Sequence, residues 1–317
     1  MSSTPQVHVI VGAGQIGTHL ARTLVARGHA VRTVARGEGA PMEGVTRLRG
    51  SIADADVARR AGEGAAVIYD CANPPYDRWD AELAPIVEGC ITAAKVSGAR
   101  LVQLDNLYGF GRMGGAPMRP EGPFAPCSRK GALRLRLQER LLAADAKGEC
   151  AVAIGKASDF VGPGVVNAHF GQRFFERVFA GKAGECFGDP TLPHAFTYGP
   201  DVAAGLATLG ARDGATGRMW HLPTAEAVSM RAWAEALGRE LGMPVKVAGI
   251  PGWVVKVAGV FVPMMRELGE MSYQWQEPYL VDDRAFREAF GAAPTPFAEQ
   301  VQATAAWARA TYRQPVS

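Results

Sequence analysis

A short apolar run, Val9-Ile10-Val11, passes straight into Gly12-Ala13-Gly14-Gln15-Ile16-Gly17, and Ile16 to Arg27 then carry apolar side chains at helical spacing. Glycine is common in this chain, at 38 of 317 residues, so the glycine spacing alone would mean little. A strand before it and a helix after it give the pattern its weight. Each glycine meets a separate need: Gly12 turns tightly, Gly14 lets backbone approach a pyrophosphate, and Gly17 lets helix pack on strand. Free N–H groups at the helix start, around Gln15 and Ile16, then face the diphosphate with the positive end of the helix dipole. The segment is expected to bind a dinucleotide.

The following strand selects the dinucleotide. Gly28-His29 ends the helix, and Ala30 to Ala35 reads as a strand. A carboxylate about 20 residues past the glycines would bond a ribose 2′-hydroxyl. Here Arg36 stands there, and no carboxylate comes before Glu38. A guanidinium suits a 2′-phosphate through forked, charge-assisted hydrogen bonds. NADP(H) is therefore expected over NAD, against the alternative of a solvated loop arginine.

The remaining composition narrows the class. Apolar residues at 48% and charged residues at 21% describe an ordinary globular protein. A formal charge of +3 with scattered Lys and Arg leaves no footprint for nucleic acid. Cys71, Cys90, Cys127, Cys150 and Cys186 are odd in number and form no C-x-x-C pair. Reduced thiols in a cytoplasmic protein are expected, with neither a disulfide framework nor a metal site. No signal peptide is visible. The longest apolar stretch, Trp253 to Met265, is broken by Lys256 and Pro263 and is too short to span a bilayer.

Strand and helix patterns alternate through the first half. Strands are expected at Val7–Val11, Val31–Ala35, Val45–Arg49, Ala66–Asp70, Arg100–Leu104 and Glu149–Ile154. Helices are expected at Ala81–Ser97 and Ser128–Ala146, with Asp54 and Ser128 as caps. Such repeated units imply a Rossmann-type, doubly wound parallel sheet, an α/β fold with ligands outside the carboxyl ends of its strands. The second half is less regular. It reads as a helix over Phe170–Ala180, a loop over Gly188–Thr197, a helix over Pro200–Leu209, a strand over Arg218–Leu222 and a Ser229-capped helix to Leu241. The expected division is a core of 1–165, with 195–222 returning to it, and a smaller, mainly C-terminal substrate lobe of 166–194 and 223–317.

Several stretches together resemble the extended short-chain dehydrogenase/reductase family, which includes nucleotide-sugar epimerases and dehydratases. They are the glycine turn, Ala72-Asn73-Pro74-Pro75 after strand four, Leu107-Tyr108-Gly109 after strand five, and Lys130. Phe160-Val161-Gly162-Pro163-Gly164 and Phe196-Thr197-Tyr198-Gly199-Pro200-Asp201-Val202-Ala203 complete the set. The resemblance implies Ala72 and Asn73 beside the cofactor and Lys130 on the nicotinamide ribose. It also implies a Tyr-x-x-x-Lys pair beside a Ser or Thr, the tyrosine moving a proton as hydride moves.

The chain departs from that pattern. Pro126 stands four residues before Lys130, and the Ser/Thr slot falls at Leu104, or at Asp105 or Asn106 with a small shift. Asp105 and Tyr108 are candidate replacements as proton donor. Tyr76, Tyr198 and His194 follow them. Asp105 and Asn106 could instead simply satisfy loop amides, and Lys130 could be a solvated helix charge. Trp253, Phe261, Met264, Met265, Met271 and Trp275 suit either an apolar pocket or a core. A nucleotide-sugar diphosphate would need cations such as Arg173, Lys182 or Arg266.

Three functions remain open: an NADPH-dependent oxidoreductase with a non-standard site, a sugar-nucleotide epimerase or dehydratase, and an inactive NADP-sensing protein. The partner is expected to be a small-molecule substrate, with no nucleic acid and no membrane. The Leu133, Leu137, Leu141 and Ala144 stripe leaves a homodimer through the two long helices open.

Overall fold

The computed structural model describes residues 6–251, 254, 255, 259 and 263–313. Its centre is a seven-stranded sheet. In chain order it holds β1 (Val7–Val11), β2 (Ala30–Ala35), β3 (Val45–Arg49), β4 (Ala65–Asp70), β5 (Arg100–Asp105) and β6 (Val152–Lys156). Two short strands outside this sheet, β7 (Asp159–Val161) and β10 (Phe196–Tyr198), pair with each other in parallel. The seventh strand of the main sheet is β11 (Arg218–His221). The spatial order is β11-β6-β5-β4-β1-β2-β3, every neighbouring pair parallel. The chain therefore reverses its winding direction between β1 and β4, the crevice where ligands of such sheets bind.

The strands read as apolar runs because both faces are covered. On one face Val9, Val11, Ile68, Leu101 and Ile154 meet α3 (Trp79–Ser97) and α4 (Arg129–Ala146). On the other Ile10, Val67, Tyr69, Val102 and Ala153 meet α1 (Gln15–Ala26) and α6 (Gly199–Ala211). Asp54 caps α2 (Ala55–Gly62) through the amides of Asp56 and Val57, and Ser128 caps α4 through the amide of Gly131. The stripe of Leu133, Leu137, Leu141 and Ala144 is buried within the first of these faces, so it is spent inside the chain and is not a surface for a second copy.

A second core gathers Phe170, Phe174 and Phe175 with Trp233, Phe196 and Trp275. It joins α5 (Gln172–Phe179), β10, α7 (Met230–Leu241) and α9 (Phe297–Tyr312). Burying each such ring stabilises by about 1.5–3 kcal/mol. The short strands β8 (Gly184–Phe187) and β13 (Val247–Ile250) pair in parallel at its edge. Met271 and Trp275 are buried core residues here. Trp253 and Phe261 lie outside the described residues, as do the side chains of Met264 and Met265.

Two sequence expectations are displaced. Strand six begins at Val152, not Glu149, because Gly148, Glu149 and Cys150 close α4: the Glu149 amide donates to the Ala144 carbonyl and its carboxylate meets Arg140 and Lys95. That shift brings Lys156 onto the end of the strand. The segment 188–197 is not all loop either. It holds β9 (Pro193–His194), antiparallel to β12 (Val228–Ser229), and the start of β10. Among the described residues no helix is long and apolar enough to cross a membrane.

Candidate active site

The glycine turn leaves β1 at Gly12, whose φ of +90° favours glycine. A Cβ there would sit 2.7 Å from the backbone of Ala72, so the turns after β1 and β4 are wedged together. A Cβ at Gly17 would overlap the Gly12 carbonyl oxygen. Gly14 is different. It opens α1 with φ −79° and ψ −160°, and a Cβ there would meet no protein atom within 4 Å. The space beside Gly14 at the start of the helix is thus open. These are the features a diphosphate cradle needs, and the turn fits a dinucleotide.

A cavity of about 780 Å³ runs from this turn along the carboxyl ends of the strands. Gly12, Gly14, Gln15, Ile16 and Arg36 line one end; Ala72, Asn73, Asp105, Tyr108 and Asp159 line the other. Gln15 accepts a hydrogen bond from the Asn167 amide at 3.1 Å, tying the turn to the loop beyond β7. Arg36, at the end of β2, is exposed and pairs with Glu82 of α3 at 3.0 Å.

The floor is charged and buried. Lys156 donates to Asp105 Oδ2 at 2.5 Å and to the Asn106 carbonyl at 2.9 Å. Arg134, from α4, stands 3.4 Å from Asp105 Oδ1, donates to Asn73 at 2.7 Å, and stacks on Trp79. Burial pulls Lys156 below the usual lysine range even against the opposing charge of Asp105. Nearby Asp70 accepts from the Ala72 amide at 2.9 Å, yet burial raises its pKa to about 6.

The far wall is aromatic. The hydroxyls of Tyr76 and Tyr108 share a 2.6 Å hydrogen bond. Burial pushes both phenols above their ordinary value. Asp159 Oδ2 bonds His194 Nε2 at 2.8 Å, and His194 stacks on Trp275 with ring centroids 3.8 Å apart. Burial works to raise Asp159, but the His194 hydrogen bond and the nearby histidines outweigh it, leaving the carboxyl below its usual range. Tyr279 also lines the cavity and accepts from Gln274 at 2.8 Å.

The cavity thus collects Gly12, Gly14, Gln15, Ile16, Arg36, Ala72, Asn73, Asp105 and Tyr108, together with Tyr76. Gly17 supports the turn from behind. Lys130, expected on the ribose, stands just behind the wall: its ammonium lies 5.4 Å from the centre of the Tyr76 ring. Its ammonium is captured by Glu267 and Glu270 of α8 (Pro263–Glu270) and does not line the cavity. The reason is electrostatic: an ammonium 4% exposed needs a counter-charge, and the two glutamates supply it. His194 reaches the site by holding Asp159 and by stacking on Tyr279, with ring centroids 4.9 Å apart, and Tyr198 packs in the second core. Arg173 is spent on Glu185; neither it nor Lys182 nor Arg266 lines the cavity. Sequence reasoning did not reach Arg134, Lys156 or Asp159 as site residues. The one available signal was their position just after or opposite a strand end.

A family model described as the NAD dependent epimerase/dehydratase family matches residues 8–222, more than half of the chain. The chain belongs to that family. No curated protein matches it in sequence. Among solved structures it is similar to UDP-glucuronic acid 4-epimerase from Bacillus cereus in complex with NAD, at 16% identity and a TM-score of 0.78, covering 97% of this chain and 100% of that one. It is similar to dTDP-glucose 4,6-dehydratase from Bacillus anthracis in complex with NAD, at 14% identity and a TM-score of 0.80, covering 96% and 97%. It is also similar to the Bordetella bronchiseptica enzyme WbmH in complex with NAD+, at 20% identity and a TM-score of 0.76, covering 98% and 100%. At these identities the likeness speaks for the fold.

Proposed function

We propose that this chain is a nicotinamide dinucleotide-dependent oxidoreductase acting on a carbonyl or hydroxyl carbon through a non-standard proton donor. The observation that carries it is the clear space at Gly14, opening into one cavity that reaches both Arg36 and the Tyr76–Tyr108 pair. Gly12, Gly14, Gln15 and Ile16 would hold the diphosphate, and Ala72 and Asn73 the nicotinamide side. The cofactor, when bound, supplies or accepts the hydride.

The chain's own groups then handle the proton. Tyr108 donates to the developing alkoxide, and Tyr76 supports it through their shared hydrogen bond. Both phenols are pushed up by burial, so they carry their protons at neutral pH and can donate only to a strongly basic oxygen such as an alkoxide. Asp105 is assigned as an anchor, since Lys156 holds Oδ2 and Arg134 lies at ion-pair distance from Oδ1. Lys130 braces α4 against α8.

For the cofactor we favour NADP(H), on the strength of Arg36. Glu82 beside it must release the guanidinium for a 2′-phosphate to take its place. Replacing Arg36 with Ala is expected to weaken NADPH about tenfold or more, the worth of a charge-assisted hydrogen bond, with NADH little changed. Equal loss for both, read by cofactor fluorescence, would remove the case for NADP. Five free cysteines suit a reducing compartment such as the cytoplasm.

A second reading, a nucleotide-sensing protein without turnover, draws on Pro126 in the expected tyrosine position and on the capture of Lys130. Tight NADPH binding with no consumption against a broad carbonyl panel would favour it. Epimerase or dehydratase chemistry, which the solved relatives suggest, would use the same tyrosines for a transient oxidation.

A further inference from the structure

The deep end of the cavity carries a charge that the proposed redox step does not use. Asp159 leaves the sheet edge at the start of β7 and lines the cavity, its side chain 23% exposed. His194 holds Oδ2 at 2.8 Å, whereas Oδ1 accepts no hydrogen bond among the described residues. Tyr76, Tyr108 and Tyr279 line the same space. The lining cations among the described residues are Arg36, paired with Glu82 at the opposite end, and Arg134, committed to Asn73 and Asp105.

We propose that this end of the cavity takes a substrate bearing a positively charged amine, its ammonium seated on Asp159 within the tyrosine wall, rather than a nucleotide diphosphate sugar. A carboxylate with one oxygen fixed and the other open is oriented in advance for a cationic donor, and such charge-assisted bonds are about twice as strong as neutral ones. Tyrosine rings add attraction for an ammonium that has shed its water. A diphosphate placed there would instead face Asp159 with no free cation beside it among the described residues, a repulsive arrangement. The inference rests on the proposed oxidoreductase reading and names the substrate class for that site.

The test uses the full chain with NADPH. Cofactor binding is measured first by fluorescence; failure there sinks the oxidoreductase reading itself. With the cofactor bound, three probes are titrated by calorimetry: cyclohexylamine as its ammonium, cyclohexanol of similar shape, and UDP. Cyclohexylammonium should bind at least tenfold tighter than cyclohexanol, and UDP should bind weakest. Asp159→Asn keeps an acceptor for His194 but removes the charge. It should erase the tenfold preference while leaving NADPH affinity as it was and the chain folded, at some cost in melting temperature. NADPH binding accompanied by any other ranking overturns the amine proposal alone. So does a preference that survives in D159N.

Discussion

Gly14→Ala separates a ligand cradle from an ordinary tight turn. At φ −79° an alanine is unstrained, and its Cβ would touch nothing within 4 Å. The variant should therefore match the parent in stability within about 0.5 kcal/mol, or gain slightly because the unfolded chain has fewer conformations to lose. Gly17→Ala, whose Cβ would overlap the Gly12 carbonyl, should lose far more, in the range of about 1–3 kcal/mol for overpacking. A methyl at residue 14 stands where a diphosphate oxygen must approach the helix amides. Lengthening one charge-assisted hydrogen bond there costs about 1.5–3 kcal/mol, or about 10- to 150-fold in dissociation constant. Urea denaturation and NADPH fluorescence titration measure the two effects separately. Unchanged NADPH affinity in Gly14→Ala would refute the cradle, as would a loss of stability equal to that of Gly17→Ala.

Three further outcomes are expected. Lys156→Met strands the Asp105 carboxylate 7% exposed beside Arg134 alone, so it should cost about 3 kcal/mol in urea unfolding; adding Asp105→Asn should recover much of that, and additive losses would argue against the pair. Tyr108→Phe should lower turnover by about 100-fold, the usual reach of a positioned proton donor, while costing only about 1 kcal/mol for the unpartnered Tyr76 hydroxyl; full activity would reject its role. Acid should unfold the chain through its buried histidines. His8 and His169 are lowered to about 4 and His221 to about 3, chiefly by burial. The unfolded chain thus binds more protons below pH 6.5, and their stability, full above that value, is lost as pH falls toward 4 and 3. Asp70, raised by burial to about 6, opposes them, its contribution being full below 3.8 and lost as pH rises through 6. These four groups leave the unfolded chain holding about two more protons near pH 5, so together they should lower stability by about 2–3 kcal/mol per pH unit there. A flat profile between pH 6 and 4.5 would contradict this.

The glycine-turn half of the cavity was legible in the sequence because its physics is local. Gly12, Gly14 and Gly17 act within one turn, and Asp54 and Ser128 cap helices through amides two or three residues on. The tyrosine-lined half was not, because its contacts join distant segments. Lys130 meets Glu267 across 137 positions and His194 meets Asp159 across 35, and no periodicity encodes such pairings. Lys156 was hidden by a misplaced strand: starting it at Glu149 ended it before the residue that neutralises Asp105. Asp105 and Tyr108 came from the rule that ligands gather at strand ends. That rule placed them beside the cavity without saying that Lys156 already holds the first and Tyr76 the second.

The shared phenol hydrogen bond has a consequence for direction. Two hydroxyls own two protons, and their mutual contact consumes one, leaving a single outward donor that either ring can present by rotating both O–H bonds together. A site so equipped can shift its point of protonation by one phenol's width without moving any heavy atom. If the proposed function holds, it would thereby serve carbonyls seated at two depths in the same chamber.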